Sequence, residues 1–226
     1  MRVLGHVVTR NEADRYLARS LESLLAVCDD VAVFDDQSTD DTVTIARSMG
    51  AMAAVRADDE PSFMEHEGRF RNIAWSYLRS VLKPERGDWI VALDADEILV
   101  VDGDLRAALA EVSPRARSLN VPIDECWELD PPRRRVDGHW GSITGARLFR
   151  WLPGVPIADK EMGCGSVPLD GHQVTVDNPR IMHLGYVRAE DRVAKYERYR
   201  GRSGHSGAHV ASILATPVLV PVGGVE

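Results

Sequence analysis

Apolar and polar positions along the first hundred residues follow two alternating periods. Short apolar runs predict four strands, at residues 3–8, 31–34, 51–55 and 89–93. Apolar residues at helical spacing predict three helices, at residues 12–28, 43–49 and 70–82. Strands that alternate with helices in this way indicate the α/β class, with a mostly parallel sheet flanked by helices.

The second hundred residues are less regular and predict a mixture of strands, helices and loops. We expect helices at residues 105–112 and 189–199 and strands at residues 118–123, 146–151 and 180–182. The last helix is highly charged, and its apolar stripe consists of little more than Val193 and Tyr196. Two loops are also predicted, a basic one at residues 130–135 and a glycine-rich one at residues 163–171.

Polar side chains follow three of the predicted strands where those strands end, at residues 9–12, 35–36 and 94–97. Ligands of open parallel sheets bind beyond the carboxyl ends of the strands, so we expect these segments to share a site. Because side chains alternate along a strand, Asp94 and Asp96 are predicted to point the same way. Two neighbouring carboxylates are typical of a Mg²⁺ or Mn²⁺ site, although acidic residues are also common in polar turns.

Net charge, cysteine pattern and the length of apolar runs limit which partners and which cellular location are expected. The net charge of −8 argues against a mainly electrostatic grip on nucleic acid, although it leaves room for a local basic patch. Cys28, Cys126 and Cys164 form no CxxC pair, which argues against a zinc site or a disulfide framework. No apolar run has the length of a membrane span, and no signal-peptide layout is present. We expect a cytoplasmic protein that works in solution or beside a membrane.

Several short motifs, taken in order, resemble those of family 2 glycosyltransferases. They are VVTRNE at residues 7–12, VFDDQSTDDT at 33–42, RN at 71–72, LDADE at 93–97, RLFR at 147–150 and HLGY at 183–186. Each motif is weak alone, but together they cover roughly residues 3 to 200 in the right order. The resemblance implies a GT-A fold that is Rossmann-like, with a smaller irregular acceptor-side half, a nucleotide-sugar donor and Mn²⁺ or Mg²⁺ as cofactor.

By position, the resemblance also implies roles for individual residues. The nucleotide-sugar would be bound by Thr9, Asn11, Glu12, Asp36, Arg71 and Asp94. The metal would be held by Asp96, Asp94 and His183. Competing interpretations stay open: Asp36 caps the following helix, Arg71 lies on a solvated helix face, or His183 is structural.

An inverting transfer also needs a carboxylate within hydrogen-bond reach of the acceptor hydroxyl. Glu161 and Asp159 follow the RLFR motif and are predicted as the catalytic residues. Relatives commonly carry a His-Glu pair here, whereas this chain has Lys160 before Glu161. Asp124 and Glu125 are the alternatives, while Glu97 either orients the acceptor or begins the next turn.

The acceptor is not identified by the sequence and is a glycan, a lipid-linked group, a protein or a modified nucleic acid. Residues 133–135 and 147–150 are rich in arginine and either meet acceptor phosphates or are solvated. Trp127, Trp140 and Trp151 either stack on a sugar or are buried. His205 and His209 either touch the acceptor or lie on a surface tail.

The sequence therefore predicts a metal-dependent inverting glycosyltransferase that uses a nucleotide-sugar, most often a UDP-sugar in such enzymes. Residues 1–100 would bind the donor, residues 101–200 of the same domain the acceptor, and residues 201–226 would form a tail. A nucleotidyltransferase that makes nucleotide-sugars is the alternative, but it usually has a glycine-rich phosphate loop after the first strand. Residues 9–12 contain no glycine. A non-catalytic nucleotide-sugar-binding domain is the third hypothesis.

Overall fold

The computed structural model describes residues 1–200 and 207–223. The strands in these residues are β1 (Val3–Thr9), β2 (Asp30–Asp35), β3 (Met52–Val55), β4 (Trp89–Asp94), β5 (Glu97–Val100), β6 (Ala116–Leu129), β7 (Pro132–Arg135), β8 (Thr144–Arg150), β9 (His172–Thr175), β10 (Arg180–His183) and β11 (Leu219–Pro221). The helices are α1 (Leu17–Leu25), α2 (Thr42–Ser48), α3 (Glu67–Leu82), α4 (Leu105–Glu111), α5 (Ala189–Tyr199) and α6 (Gly207–Ser212). In this part of the chain no helix combines the length and the apolar character needed to cross a bilayer.

The strands form one continuous sheet whose first half is parallel. Its main path runs β3-β2-β1-β4-β8-β6-β7-β11, and β3, β2, β1 and β4 are parallel neighbours. From β8 onward the neighbours on this path are antiparallel. Beside the path, β10 pairs parallel with β6 and antiparallel with β5. The α/β class and the mostly parallel central sheet are confirmed.

Helices cover both faces of the parallel half of the sheet. Side chains of β1 alternate between the two faces, and those on each face are mostly apolar and need a helix to bury them. Val3 and Val7 pack in the core beneath α1, whereas Leu4 and Val8 pack on the α3 side. The apolar stripe of α3 is buried there, with Phe70 and Leu78 nearly inaccessible to solvent. The sheet is therefore fixed from both sides, and its carboxyl edge is left for the polar segments.

Two predicted elements differ from the structure for reasons that lie elsewhere in the chain. The helix predicted at residues 12–28 begins only at Leu17, because side chains at the start of α2 and just before it hold the backbone that precedes Leu17. Thr42 Oγ1 accepts from the N–H of Glu12 at 2.8 Å, and Asp40 Oδ2 from that of Ala13 at 3.2 Å. The loop predicted at residues 130–135 is wrong over Pro132–Arg135, which form β7 between β6 and β11.

His6 is a buried histidine of β1 whose charge state depends on the fold. Its ring packs edge-on against Trp75, and its Nδ1 finds no hydrogen-bond partner among the described residues. Burial, assisted by the guanidinium of Arg71, lowers the pKa of His6 from 6.5 to about 4. The folded protein therefore keeps His6 neutral at a pH where the unfolded chain takes up a proton.

We expect this difference in pKa to lower the free energy of unfolding as the pH falls from about 6.5 towards 4. The total loss over this pH range should be about 3 kcal/mol. Urea unfolding of the wild type and of His6→Leu at pH 7, 5.5 and 4.5 measures it. The wild type should lose stability more steeply than the variant between pH 6.5 and 4. Parallel pH profiles for the two proteins would show that His6 makes no such contribution.

Candidate functional site

A cavity of about 520 Å³ lies where β1, β2 and β4 end and where β10 and α5 approach them. Most of the residues singled out from the sequence line it, namely Thr9, Asn11, Glu12, Asp36, Asp94, Asp96 and His183. Arg71, Asp159 and Glu161 are also described by the structure, and they are not among the lining residues. The polar strand ends thus converge on one site, as expected for an open parallel sheet.

The floor of the cavity carries polar atoms that the protein itself does not satisfy. Thr9 Oγ1 and Glu12 Oε2 are buried, and neither has a hydrogen-bond partner within residues 1–200 and 207–223. Burial, with a smaller contribution from Asp96, raises the pKa of Glu12 to about 7 although Arg15 opposes the shift. Buried polar atoms without partners are costly, so these two favour a polar ligand in the cavity.

Asn11 and Asp36 join the loops that follow β1 and β2. Asn11 has a left-handed backbone with φ of 53°, and its Oδ1 accepts from the N–H of Thr39 at 2.8 Å. Asp36 is buried and accepts from Arg56 Nε at 2.5 Å and from the N–H of Phe63 at 3.1 Å. Asp36 is therefore held rigidly at the cavity wall by a partner, Arg56, that sequence reasoning missed.

Asp94 and Asp96 are held by different partners. Strand β4 ends at Asp94, and Asp96 lies in the turn before β5, so the predicted strand alternation does not apply. Arg71, buried on α3, donates from Nη2 to Asp94 Oδ1 at 3.0 Å and from Nε to Glu67 Oε1 at 2.8 Å. The guanidinium of Arg71 is thus used inside the protein and holds the carboxylate of Asp94, whereas the carboxylate of Asp96 contacts His183.

Asp96 contacts one ring nitrogen of His183 at the cavity, and Glu125 contacts the other ring nitrogen. His183 Nε2 lies 3.3 Å from Asp96 Oδ2, and His183 Nδ1 lies 2.5 Å from Glu125 Oε2. The local reason is register, because His183 on β10 is the parallel partner of Glu125 on β6. A carboxylate behind a histidine fixes the ring and leaves its other nitrogen free to bind a metal.

The electrostatics of this group suit a cation. Burial opposes a charged imidazole, yet Glu125 and Asp96 outweigh both burial and the nearby Lys195 and raise the pKa of His183 to about 10. Burial also opposes a charged Asp96, but His183 and Lys195 hold the pKa of that carboxyl well below its usual range. Metal binding would displace the proton from His183, so affinity for a metal should rise with pH.

The predicted set of three metal ligands is not gathered in one place. Among residues 1–200 and 207–223 no three side chains of His, Cys, Asp or Glu converge as a metal site. Asp94 is missing from the set because Arg71 holds it. The remaining pair fits an octahedral ion, since two adjacent ligands at about 2.1 Å from it stand about 3 Å apart. Asp96 and His183 thus fit Mn²⁺ or Mg²⁺, whose other ligands would be phosphate and water.

Gly185 is placed so that this group of side chains can meet. A Cβ on Gly185 would collide with Lys195 Nζ, and it would lie 2.5 Å from Asp96 Oδ2 and 2.7 Å from His183 Nε2. The glycine of the HLGY motif therefore leaves the space in which the cation-binding atoms converge.

We expect Gly185→Ala to weaken Mn²⁺ binding by about tenfold or more, because Asp96 and His183 must move apart. Titration calorimetry with Mn²⁺ in the presence of UDP measures the loss. Gly207→Ala is the matched control, because a Cβ there meets nothing within 4 Å. Unchanged affinity in Gly185→Ala would mean that the metal binds elsewhere.

The two predicted catalytic acids lie outside the cavity. Asp159 is exposed and interacts with His66 at 3.4 Å and Arg69 at 3.6 Å near the start of α3. Glu161 is exposed, and its backbone carbonyl accepts from the N–H of Glu67 at 3.0 Å. Of the two alternatives, Asp124 is held by Arg134 and Arg180, whereas Glu125 lines the cavity.

Glu97 and the predicted basic segments are engaged within the protein. Glu97 begins β5, is buried, and receives Arg147 Nη2 at 2.5 Å. The arginines of residues 133–135 pair with acidic neighbours, Arg133 with Glu128, Arg134 with Asp124 and Arg135 with Asp137. Arg150 lies over the ring of Trp89. These arginines are thus engaged by neighbouring side chains, although Arg133 stays 41% exposed and Arg147 lines the cavity.

The aromatic candidates for the acceptor site are mostly buried. Trp127, Trp140 and Trp151 are 6%, 2% and 3% exposed, so the interpretation as core residues is confirmed. His209 on α6 packs its ring 4.7 Å from that of Trp140. His205 lies outside the described residues.

Helix α5 forms one wall of the cavity, and sequence reasoning did not assign it a role. The lining residues of α5 recur at helical spacing and comprise Asp191, Ala194, Lys195, Arg198 and Tyr199. Arg15 binds Asp191 at 2.7 Å and attaches the helix to the loop after β1. The sequence offered one signal for this role, the thin apolar stripe of a strongly charged helix. Such a helix has little apolar surface to bury in the core, so its polar residues are available to line a site.

Comparison with solved structures identifies the fold. The structure of S. aureus TarS 1-349 in complex with UDP-GlcNAc aligns with a TM-score of 0.51 and 15% identity over 95% of this chain and 71% of that chain. The structure of GalNAc-T7 with UDP, GalNAc and Mn²⁺ aligns with a TM-score of 0.51 and 13% identity over 80% of this chain and 43% of that one. The chain has the fold of the GT-A glycosyltransferases.

Sequence comparison gives the family. The family model described as Glycosyl transferase family 2 matches residues 6–122, which is just over half of the chain, and the chain belongs to this family. An uncharacterized protein of Mycobacterium tuberculosis is 30% identical over 209 residues, 88% of this chain and 50% of that protein. An uncharacterized glycosyltransferase of Rickettsia felis is 35% identical over 98 residues, 43% of this chain and 30% of that protein. The chain thus spans half the length of its mycobacterial relative.

Proposed function

We propose that this protein is a metal-dependent, inverting glycosyltransferase that moves a sugar from a nucleotide-sugar to an acceptor. The observation that carries the proposal is the facing pair of Asp96 and His183 in a cavity whose floor holds buried, unsatisfied polar atoms. The pair fits a divalent ion, and the floor fits the hydroxyl and N–H groups of a nucleoside.

The donor would lie along the carboxyl ends of β1, β2 and β4. Thr9 and Glu12 offer their unsatisfied oxygens to it, while Asn11 and Asp36 shape the wall on which the nucleoside rests. Asp94 lines the same wall and would contact the ribose, with Arg71 holding its carboxylate in place. UDP-sugars are the proposed class, supported by the UDP and UDP-GlcNAc named for the two aligned structures.

Asp96 and His183 would hold Mn²⁺ or Mg²⁺, which, when bound, offsets the negative charge that develops on the departing diphosphate. Glu125 would keep the ring of His183 in the binding orientation through its contact with Nδ1. Asp96 is fixed from its backbone as well, because its carbonyl accepts from the N–H of Leu184 at 2.7 Å. The protein therefore presents two fixed donor atoms to the ion and leaves the remaining positions to the donor and water.

We assign the general base to Glu125 in preference to Glu161 and Asp159. A base must reach the acceptor hydroxyl, and of the four carboxylates considered as the base from the sequence only Glu125 lines the cavity. Residues 1–100 would form the donor side and residues 101–200 the acceptor side. Residues 101–200 would also supply His183 as a ligand of the metal and Glu125 as the support of His183.

A donor screen tests the proposal. The unfolding midpoint is measured with each member of a nucleotide-sugar panel, with and without Mn²⁺. One donor should raise the midpoint by about 5 °C at saturation, and only when Mn²⁺ is present. Failure of every donor would contradict the proposal, and pyrophosphate release from a nucleoside triphosphate and a sugar phosphate would favour a nucleotidyltransferase. Stabilisation by a donor without any sugar transfer or donor hydrolysis would favour a non-catalytic binding domain.

A further inference from the structure

Lys195 places its ammonium group where the proposed metal would bind. Its Nζ lies 3.3 Å from His183 Nε2 and 3.7 Å from Asp96 Oδ2, the same two atoms that would ligate the ion. The ammonium also lies 4.4 Å from the centre of the Tyr186 ring, and the side chain is 14% exposed. A positive charge from the protein therefore occupies the space between the proposed ligands.

The space beside Gly185 makes this placement specific. The missing side chain of Gly185 is what allows Lys195 Nζ to approach Asp96 and His183 together, since a Cβ would collide with it. A cation–π contact with Tyr186 holds the ammonium from a further side. Lys195 is thus seated in a built position and does not merely extend along the helix surface.

We propose that Lys195 is a resident cation that competes with the divalent ion, so that the metal binds tightly only together with the donor's diphosphate. The inference rests on the proposed function and extends it to the order in which the ligands are bound. Two cations a few ångströms apart repel strongly in a partly buried site. The ion must therefore displace the ammonium before it can bind Asp96 and His183.

Within residues 1–200 and 207–223, the displaced ammonium finds no lining carboxylate that lacks a basic partner, and even Glu12, whose Oε2 has no hydrogen bond, already pairs with Arg15 through Oε1. The other lining carboxylates each have a basic partner: Glu12 and Asp191 pair with Arg15, Asp36 with Arg56, Asp94 with Arg71, Glu97 with Arg147 and Glu125 with His183. A diphosphate that enters with the metal supplies the missing negative charge. Metal and donor should consequently strengthen each other's binding through Lys195, which is a reciprocal coupling.

The test measures free Mn²⁺ by its solution electron paramagnetic resonance signal, using the wild type, Lys195→Met and Lys195→Arg. Lys195→Met keeps the length of the side chain and removes the charge, and we expect it to bind Mn²⁺ alone about tenfold more tightly than the wild type. Lys195→Arg keeps the charge and should stay as weak as the wild type. Adding UDP, GDP, CDP or ADP should tighten Mn²⁺ binding more in the wild type than in Lys195→Met.

The outcomes separate this inference from the proposed function. Equal or weaker Mn²⁺ binding by Lys195→Met, alongside nucleotide-assisted binding that Asp96→Asn abolishes, would overturn the inference and leave the function standing. No Mn²⁺ binding by any variant, even with every nucleotide, would overturn both. Lys195→Gln serves as a second neutral variant, and unfolding midpoints close to the wild type confirm that the variants are folded.

Discussion

Asp96→Asn is expected to abolish the Mn²⁺-dependent stabilisation by the donor and to lower the rate of sugar transfer by about a hundredfold or more. The physical reason is that Asp96 would supply one of the two proposed protein ligands, and its loss would remove several kcal/mol of charge stabilisation at the leaving diphosphate. Asparagine keeps the size of the side chain, so the effect reports on charge. Thermal shifts with and without Mn²⁺, together with single-turnover transfer rates, measure it.

Asp94→Asn is the matched control for this prediction. Asp94 lies two residues away, but Arg71 holds its carboxylate at 3.0 Å, whereas Asp96 contacts His183. We expect the Mn²⁺-dependent shift to survive in Asp94→Asn, while donor affinity and fold stability fall because Arg71 loses a partner. If both variants lost the metal effect equally, the two acids would act as one pair, contrary to the structure.

Glu125→Gln is expected to lower kcat by about 10²–10⁴-fold while Mn²⁺ binding is retained. Glutamine still accepts a hydrogen bond from His183 Nδ1, so the histidine stays oriented, but it does not take a proton from the acceptor. The split between lost transfer and retained metal binding separates a base from a residue that only positions His183. Rapid-quench kinetics and Mn²⁺ titration of the same preparation measure both.

Glu161→Gln and Asp159→Asn are the controls, and both should transfer sugar at close to the normal rate. Both acids are exposed, and neither lines the cavity. Loss of transfer in Glu161→Gln with a normal rate in Glu125→Gln would restore Glu161 as the base, as predicted from the sequence. Loss of Mn²⁺ binding in Glu125→Gln would instead make Glu125 a positioning residue.

The fold was largely predictable because its first half is built from local signals. Apolar runs gave β1, β2 and β4, and the helix expected at residues 189–199 is α5 at those residues. The predictions that failed concern segments whose structure depends on residues distant in the sequence. The start of α1 is delayed by hydrogen bonds from Asp40 and Thr42, and β7 pairs not only with the adjacent β6 but also with β11, some 85 residues later. No local pattern encodes such partners.

The candidate site was predictable in position and less so in orientation. Asp96 and His183 were recognised from short motifs, and the structure brings them to one cavity. Arg71 was expected at the donor but turns to Glu67 and Asp94, because the direction of a long side chain depends on its tertiary neighbours. Lys195 carried no motif, and only the packing of α5 beside Gly185 brings it to the metal position.

The central claim is that Asp96 and His183 hold a divalent ion together with the donor's diphosphate. Pulsed electron paramagnetic resonance of Mn²⁺ in the complex with protein and UDP tests it most directly, because it detects the nuclei bound to the ion. We predict coupling to an imidazole nitrogen and to phosphorus in the same complex, with the nitrogen coupling lost in His183→Gln. Phosphorus coupling without any histidine nitrogen in the wild type would contradict the account.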